Sequence, residues 1–126
     1  MGKILIVDDN PVIQKMLVDR IAQEGYTVLT ANNGKEGIEL AIKEKPDLAI
    51  LDIVMPEMDG LTMLKKLRAD PSGAEMQVMM LTSMEDSASI SEALNNKVFK
   101  YMKKDALDVQ EVVENIHIIL KDSSRY

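Results

Sequence analysis

The segment that decides the fold is residues 47–60, which read DLAILDIVMPEMDG. Its apolar run at residues 48–51 is short and unbroken, as expected of a parallel strand buried on both faces. Asp52 follows at the carboxyl end of this strand, and the proline and Asp-Gly pair after it predict a loop and a turn. Because ligands bind outside the carboxyl ends of the strands in an open α/β sheet, Asp52 is the first candidate functional residue.

Outward from this segment, short apolar runs alternate with helical periodicity along the chain. The predicted strands are residues 3–7, 26–30, 48–51, 77–81 and 98–102. The predicted helices begin at Asn10-Pro11, at Asn32-Asn33-Gly34 and near Leu61, with a fourth over 85–95 and a last one over about 108–120. Strands that alternate with helices require right-handed crossovers and a parallel sheet covered on both faces. The predicted fold class is therefore α/β, a single-domain doubly wound sheet of five parallel strands, for which the order 2-1-3-4-5 is suitable.

Composition excludes several classes of protein. The 126 residues carry a net charge of −6, with no cysteine and no tryptophan. Disulfides, thiolate metal sites and thiol nucleophiles are thereby excluded, and the acidic charge argues against nucleic acid as a direct partner. No apolar run approaches the length of a membrane span and the start does not read as a signal peptide, so we expect a cytoplasmic protein without a membrane partner. We expect the ten methionines to fill the core, with Met16 on the inward face of the first helix and His117 on the surface.

Polar side chains follow four of the predicted strands. The first strand leads into Asp8 and Asp9, the third into Asp52 and the fourth into Thr82, while the fifth leads into Lys103-Lys104. In the order 2-1-3-4-5 these ends meet at one rim of the sheet. Carboxylates brought close together repel one another unless a cation joins them, and a hard divalent ion such as Mg²⁺ takes oxygen ligands.

This arrangement suits phosphoryl chemistry. Asp52, held near the ion, could act as a carboxylate nucleophile toward phosphorus and form an aspartyl phosphate. A lysine ammonium and the metal would offset the charge on the phosphoryl oxygens, and the Thr82 hydroxyl could hydrogen-bond one of them.

These motifs resemble the receiver domain of bacterial two-component response regulators, the CheY-like family. The resemblance rests on Asp8-Asp9, on Asp52 with the segment 55–60, on Thr82-Ser83 and on the late lysine, and it covers residue 3 to about residue 120. It implies a flavodoxin-like fold, with one receiver domain expected over residues 1–121 and a frayed tail over 122–126. We expect no effector domain within these residues, and both a stand-alone receiver and a fragment of a larger protein remain open.

The resemblance also implies roles for individual residues. Asp52 would be the phosphoacceptor, and a sensor histidine kinase or a histidine phosphotransfer protein would supply the phosphoryl group. The implied ligands of Mg²⁺, or of Mn²⁺ in its place, are Asp8, Asp9, Asp52 and the backbone carbonyl of Val54. Thr82 would be the switch hydroxyl and Tyr101 the switch aromatic. A downstream target protein would bind the face formed by the fourth predicted helix, the fifth strand and the last helix.

The lysine of the site needs a choice between two neighbours. The family's lysine stands three residues after the aromatic, which selects Lys104 over Lys103, and strand alternation places these two side chains in opposite directions. The family usually has a proline after this lysine, commonly with a cis bond, whereas Asp105 follows here. A cis bond before a non-proline residue costs about 2.5–4 kcal/mol, which favours a trans bond.

A second departure precedes the fifth strand. Lys97-Val98 replaces the Gly-Ala that is usual in the family, and we expect Asn95 or Asn96 to supply the left-handed residue instead.

Other classes of function remain as alternatives. A phosphatase of the haloacid-dehalogenase type would carry a second aspartate two residues after the nucleophile, where this chain has Val54. A flavodoxin-like cofactor carrier is disfavoured because Asp8-Asp9 would repel a phosphate that lacks a metal, and no G-x-G-x-x-G motif occurs. The main alternative is a receiver-like interaction module that works without phosphorylation. In none of the favoured interpretations is the chain an enzyme beyond slow self-phosphorylation from small donors and self-dephosphorylation.

Overall fold

The computed structural model of the chain describes residues 2–53, 55, 57–82, 91 and 95–120, without the side chains of Thr82 and Ala106. The strands are β1 (Lys3–Val7), β2 (Thr27–Ala31), β3 (Leu48–Leu51), β4 (Gln77–Thr82) and β5 (Lys100–Lys103). The helices are α1 (Pro11–Gln23), α2 (Gly34–Glu44), α3 (Gly60–Ala69) and the C-terminal helix (Val109–Leu120), with a 3-10 turn at Lys104–Ala106. Most of the helix predicted at 85–95 lies outside the described residues, as does the predicted tail.

All five strands form one parallel sheet in the order β2-β1-β3-β4-β5, which confirms the predicted topology. The register pairs Val7 with Leu51 and Thr82 with Lys103. The carboxyl ends of β1 and β3 are thus level with each other, and so are those of β4 and β5. The largest error in strand position is at β5, which begins at Lys100 rather than at Val98.

Two apolar layers cover the two faces of the sheet. One lies between the sheet and α1 with the C-terminal helix, and it includes Ile4, Ile6, Leu17, Ile21, Ile50 and Ile116. The other lies under α2 and α3, and it includes Leu5, Val7, Leu51, Met63, Leu64 and Leu67. Met55, Met63, Met79, Met80 and Met102 are buried, as predicted for the methionines, but Met16 is 37% exposed and its assignment to the inward face was wrong. Within the described residues, no helix is long and apolar enough to cross a bilayer.

Side-chain caps explain where the first three helices begin. The Asn10 carboxamide oxygen accepts hydrogen bonds from the backbone N–H groups of Val12 and Ile13, just before the proline at the first helical position. Asn33 caps α2 in the same way, and the Asp59 carboxylate caps α3 by accepting from the Thr62 N–H at 2.8 Å. Asp59 therefore caps a helix and is not part of the cluster of carboxylates.

His117 was predicted to lie on the surface, but its side chain is mostly buried. Its side chain is 12% exposed, and its Nε2 lies 3.0 Å from Glu24 Oε1. Its Nδ1 lies 2.7 Å from the Tyr26 hydroxyl, so the imidazole bridges the C-terminal helix to the turn after α1. The prediction failed because these partners are about ninety positions away in the sequence. The apolar periodicity of the helix, on which the prediction rested, carries no information about them.

The left-handed residue before β5 is Lys97, with φ of 64°, so the expectation for Asn95 or Asn96 was wrong. The Arg68 guanidinium holds this turn in place by donating to the backbone carbonyls of Asn96 (2.8 Å), Lys97 (3.0 Å) and Gly73 (2.7 Å). Hydrogen bonds from a side chain on α3 therefore maintain a conformation that costs an L-residue about 1–2 kcal/mol.

Replacement of Lys97 by glycine should stabilise the protein by about 0.5–1 kcal/mol, because glycine adopts a positive φ without steric cost. Lys97→Ala is the matched control, since it also removes the exposed ion pair with Glu75 but keeps the strain. Urea denaturation of both variants measures the difference. Equal stability of the two variants would show that the backbone conformation at this position carries no strain.

Candidate functional site

Three carboxylates meet at the carboxyl ends of β1 and β3. Oxygen atoms of Asp8, Asp9 and Asp52 all lie within 4.8 Å of one another. Asp8 and Asp52 are buried, at 2% and 3% exposure, whereas Asp9 is exposed. The topology explains this meeting, because β1 and β3 are adjacent and parallel, and the Asp52 N–H donates to the Val7 carbonyl at 3.0 Å.

Lys104 brings the cationic group of the cluster. Its Nζ lies 2.8 Å from Asp52 Oδ2 and 3.1 Å from Asp8 Oδ1, and its side chain is 14% exposed. Burial opposes the charge on this ammonium, but hydrogen bonds and attraction from Asp52 and Asp8 outweigh that cost and raise the pKa of Lys104 above its ordinary value. The peptide bond to Asp105 is trans, so the lysine reaches the carboxylates without the proline that is usual in the family.

The donor set fits a hard divalent cation. Among the described residues, the Lys104 ammonium is paired with the buried Asp8 and Asp52, and the exposed Asp9 is the third carboxylate of the cluster. The described cluster therefore carries net negative charge. Asp8 Oδ1 already accepts from Lys104 and from the Asn10 N–H, but the buried Asp8 Oδ2 has no hydrogen-bond partner among the described residues. A buried carboxylate oxygen without a donor is costly, and a cation with oxygen ligands would satisfy it.

Two backbone hydrogen bonds hold the described part of the loop after Asp52, one within the loop and one from α2. The Gly60 N–H donates to the Ile53 carbonyl at 2.8 Å, and the Gly34 N–H at the start of α2 donates to the Met58 carbonyl at 3.0 Å. A Cβ at position 34 would overlap the Met58 carbonyl oxygen, so the loop approaches α2 as closely as glycine permits.

The remaining predicted site residues are only partly described. Thr82 ends β4 at the same rim, but its side chain and the whole of Val54 lie outside the described residues. Tyr101 is half-buried on β5 and packs against the apolar layer under α2 and α3. Lys103 is exposed, whereas Lys104 extends into the cluster.

Sequence reasoning missed Gln14. The carboxamide of this α1 residue donates to the Asp8 carbonyl at 3.0 Å and lies 3.2 Å from the Ala31 carbonyl. The available signal was a glutamine four positions after the helix cap at Asn10, one turn into α1 and therefore near the strand ends.

Comparison with known proteins agrees with this geometry. A family model described as the response regulator receiver domain matches residues 4–117. Protein PilH of Pseudomonas aeruginosa is 31% identical over 120 residues, which are 95% of this chain and 98% of PilH. A CheY-like response regulator receiver domain protein from Methanospirillum hungatei superimposes with a TM-score of 0.89 at 27% identity, over 99% of this chain and 98% of that one.

Other relatives are longer. The DNA-binding dual master transcriptional regulator RpaA of Synechocystis is 32% identical over 125 residues, which are 99% of this chain but 52% of RpaA. The chain spans about half the length of several of the curated relatives that it matches. The match of the family model over most of the chain, together with the carboxylates and lysine at the strand ends, shows that this chain belongs to the response regulator receiver domain family of two-component signalling proteins.

Proposed function

We propose that the chain accepts a phosphoryl group on Asp52 in a reaction that depends on Mg²⁺, or on Mn²⁺ in its place. The donor is a sensor histidine kinase or a histidine phosphotransfer protein. The observation that supports this most strongly is the position of Asp52, which is buried beside Lys104 and within 4.8 Å of two further carboxylates. An aspartate that only caps a helix is exposed and lies apart from other carboxylates, as Asp59 does, whereas Asp52 is buried within the cluster.

In the reaction, a carboxylate oxygen of Asp52 forms a bond to phosphorus while the bond from phosphorus to the donor imidazole nitrogen breaks, and the imidazole keeps the electron pair. Asp8 and Asp9, with Asp52 and the Val54 carbonyl, would hold the cation, which neutralises charge on the phosphoryl oxygens. Lys104, already at hydrogen-bond distance from Asp52, would donate to a phosphoryl oxygen. Asp8 and Asp52 are buried, so these charges interact in a medium of lower dielectric constant than water.

The output of this reaction is a change in protein binding. Thr82 and Tyr101 are proposed as the switch. Thr82 ends β4 at the same rim as Asp52 and is paired with Lys103, and Tyr101 lies on the adjacent strand β5. A target protein would then bind the face that includes β5 and the C-terminal helix. Phe99 (46% exposed) and Ile118 (57% exposed) present apolar surface next to β5 and on that helix. We propose a cytoplasmic location, and no direct contact of this chain with nucleic acid or membrane.

Asp52→Asn should abolish covalent phosphorylation, because an amide is not a nucleophile toward phosphorus. The protein is incubated with Mg²⁺ and acetyl phosphate, and addition of a phosphoryl group is followed by intact-protein mass spectrometry. Asp59→Asn is the matched control, since it makes the same change at an exposed carboxylate that only caps α3. We expect the control to be phosphorylated like the wild type.

Two outcomes would argue against the proposal. Phosphorylation of Asp52→Asn would place the modification elsewhere. Failure of the wild type to react, with the cation bound, would favour the interaction module that works without phosphorylation. Support for that alternative came from Asp105, which stands where the family usually has a proline next to the lysine of the site. Lys104 nevertheless contacts Asp52.

A further inference from the structure

The side chain of Gln14 contacts the peptide that joins two of the three carboxylate residues. Its Nε2 lies 3.0 Å from the Asp8 carbonyl oxygen, 3.2 Å from the Ala31 carbonyl oxygen and 3.2 Å from Asn32 Oδ1. All three neighbours are acceptors, so the nitrogen of the carboxamide, and not its oxygen, must face them. The two N–H groups of Gln14 are therefore fully used at the carboxyl ends of β1 and β2.

These contacts fix the backbone of Asp8 on both sides. The Asp8 N–H donates to the Ala31 carbonyl at 3.1 Å, and the Asp8 carbonyl accepts from Gln14. Since a peptide group is planar, holding the Asp8 carbonyl also sets the direction of the Asp9 N–H and Cα.

Asp9 depends on this backbone more than its neighbours do. The Asp8 carboxylate is oriented by the Asn10 N–H and by Lys104, and the Asp52 carboxylate by Lys104. In the described part of the chain, nothing hydrogen-bonds the exposed Asp9 carboxylate. The Asp8–Asp9 peptide therefore sets the position of the Asp9 Cα, from which this side chain extends toward the other two carboxylates.

We propose that Gln14 is a positioning residue of the cation site: its carboxamide fixes the Asp8–Asp9 peptide and so places the Asp9 Cα where the carboxylate can reach the bound ion. This inference rests on the proposed function, because it assumes that the three carboxylates bind a divalent cation. Outer residues that orient metal ligands typically contribute a factor of about 10–100 in metal affinity. Gln14 acts through one of three carboxylates, so we expect an effect near the lower limit.

Gln14→Met tests the proposal, because methionine keeps the length of the side chain but donates no hydrogen bond. The Kd for Mn²⁺ is measured by titration, with the free ion followed by electron paramagnetic resonance, and Mg²⁺ is added as a competitor. We expect the Kd of the variant to rise about tenfold. Circular dichroism and the thermal midpoint establish that the variant is folded. Should Gln14→Met not fold, Gln14→Ala leaves room for water beside the two carbonyls and carries the same expectation.

Gln110→Met is the matched control. Like Gln14, Gln110 forms a side-chain hydrogen bond between α1 and another element: its Oε1, on the C-terminal helix, accepts from Arg20 on α1 at 2.8 Å. Within the described chain, its hydrogen-bond partners do not include a carboxylate of the site. We expect this variant to lose some stability and to keep the Kd of the wild type. An unchanged Kd in folded Gln14→Met, or an equal rise in Gln110→Met, would overturn the positioning role while leaving the proposed function intact. Absence of Mn²⁺ and Mg²⁺ binding by the wild type would overturn both.

Discussion

Replacement of Lys104 by methionine is expected to lower the free energy of unfolding by about 3 kcal/mol when no divalent cation is present. Lys104 is the described cation that contacts both Asp8 and Asp52, which are 2% and 3% exposed. Without its ammonium, these two buried carboxylates lose the cation that both of them contact. Removing one member of a buried ion pair typically costs about 3–5 kcal/mol, and the lower value applies because the Lys104 side chain is 14% exposed.

Divalent cation should reverse much of this loss. A ligand that binds only the folded state stabilises it in proportion to the logarithm of its concentration over Kd, and loss of the ammonium makes the carboxylates a stronger site for the cation. Addition of Mg²⁺ should therefore raise the thermal midpoint of Lys104→Met more than that of the wild type. Acceptance of a phosphoryl group should still be slow in the variant, since the ammonium that would hold a phosphoryl oxygen is absent.

Lys103→Met provides the control at the preceding residue. Its side chain is exposed, so the same substitution should change the free energy of unfolding by no more than about 0.5 kcal/mol. Urea denaturation with and without Mg²⁺ compares the two variants. If both lysines proved equally dispensable, the electrostatic account of the cluster would be wrong.

Much of the site could be predicted because the fold determines it. In a doubly wound sheet, residues that follow β1, β3, β4 and β5 meet at one rim whatever their side chains are. Asp8, Asp9, Asp52 and Thr82 could therefore be placed by strand boundaries alone, and an error of one or two residues in β5 did not matter. The preference for Lys104 over Lys103 came from the family's spacing of three residues after the aromatic, and strand alternation added only that the two side chains point in opposite directions.

The errors concern contacts between elements far apart in the sequence. His117 and Gln14 are polar residues on helices, and whether such a residue faces water or a neighbouring loop depends on partners that periodicity does not identify. Lys97 adopts a positive φ because Arg68 binds the carbonyls around it, whereas propensity favours asparagine for that conformation. Met16 is apolar and on the predicted stripe, yet no element of the described chain covers it enough to bury it.

Gly60→Ala is expected to destabilise the protein by about 3 kcal/mol, near the upper end of the usual cost of overpacking. An added Cβ would overlap the Asp52 carbonyl oxygen and would lie 2.8 Å from the Asp52 carbonyl carbon and 3.0 Å from Ile53 Cα. These are backbone atoms, so no side-chain rotation relieves the clash. They are also fixed from the other side, because the Asp52 N–H is hydrogen-bonded to the Val7 carbonyl in the sheet.

The damage should extend to the proposed function, because the residue that must move is Asp52, the proposed phosphoacceptor. Gly37→Ala is the matched control, because its Cβ would meet side-chain atoms and not backbone: Met63 Sδ and both Cγ atoms of Val7, each at 2.9 Å. These side chains must shift, which offsets the gain of up to about 1 kcal/mol that alanine has over glycine within a helix. Urea denaturation should thus show a loss of about 3 kcal/mol in the free energy of unfolding for Gly60→Ala and a smaller loss for Gly37→Ala. Phosphorylation by acetyl phosphate, measured on the folded fraction, should be impaired in Gly60→Ala alone. Equal stability and equal phosphorylation of the two variants would mean that the Asp52 backbone can shift without cost, and that glycine at position 60 is not required to hold Asp52 in place.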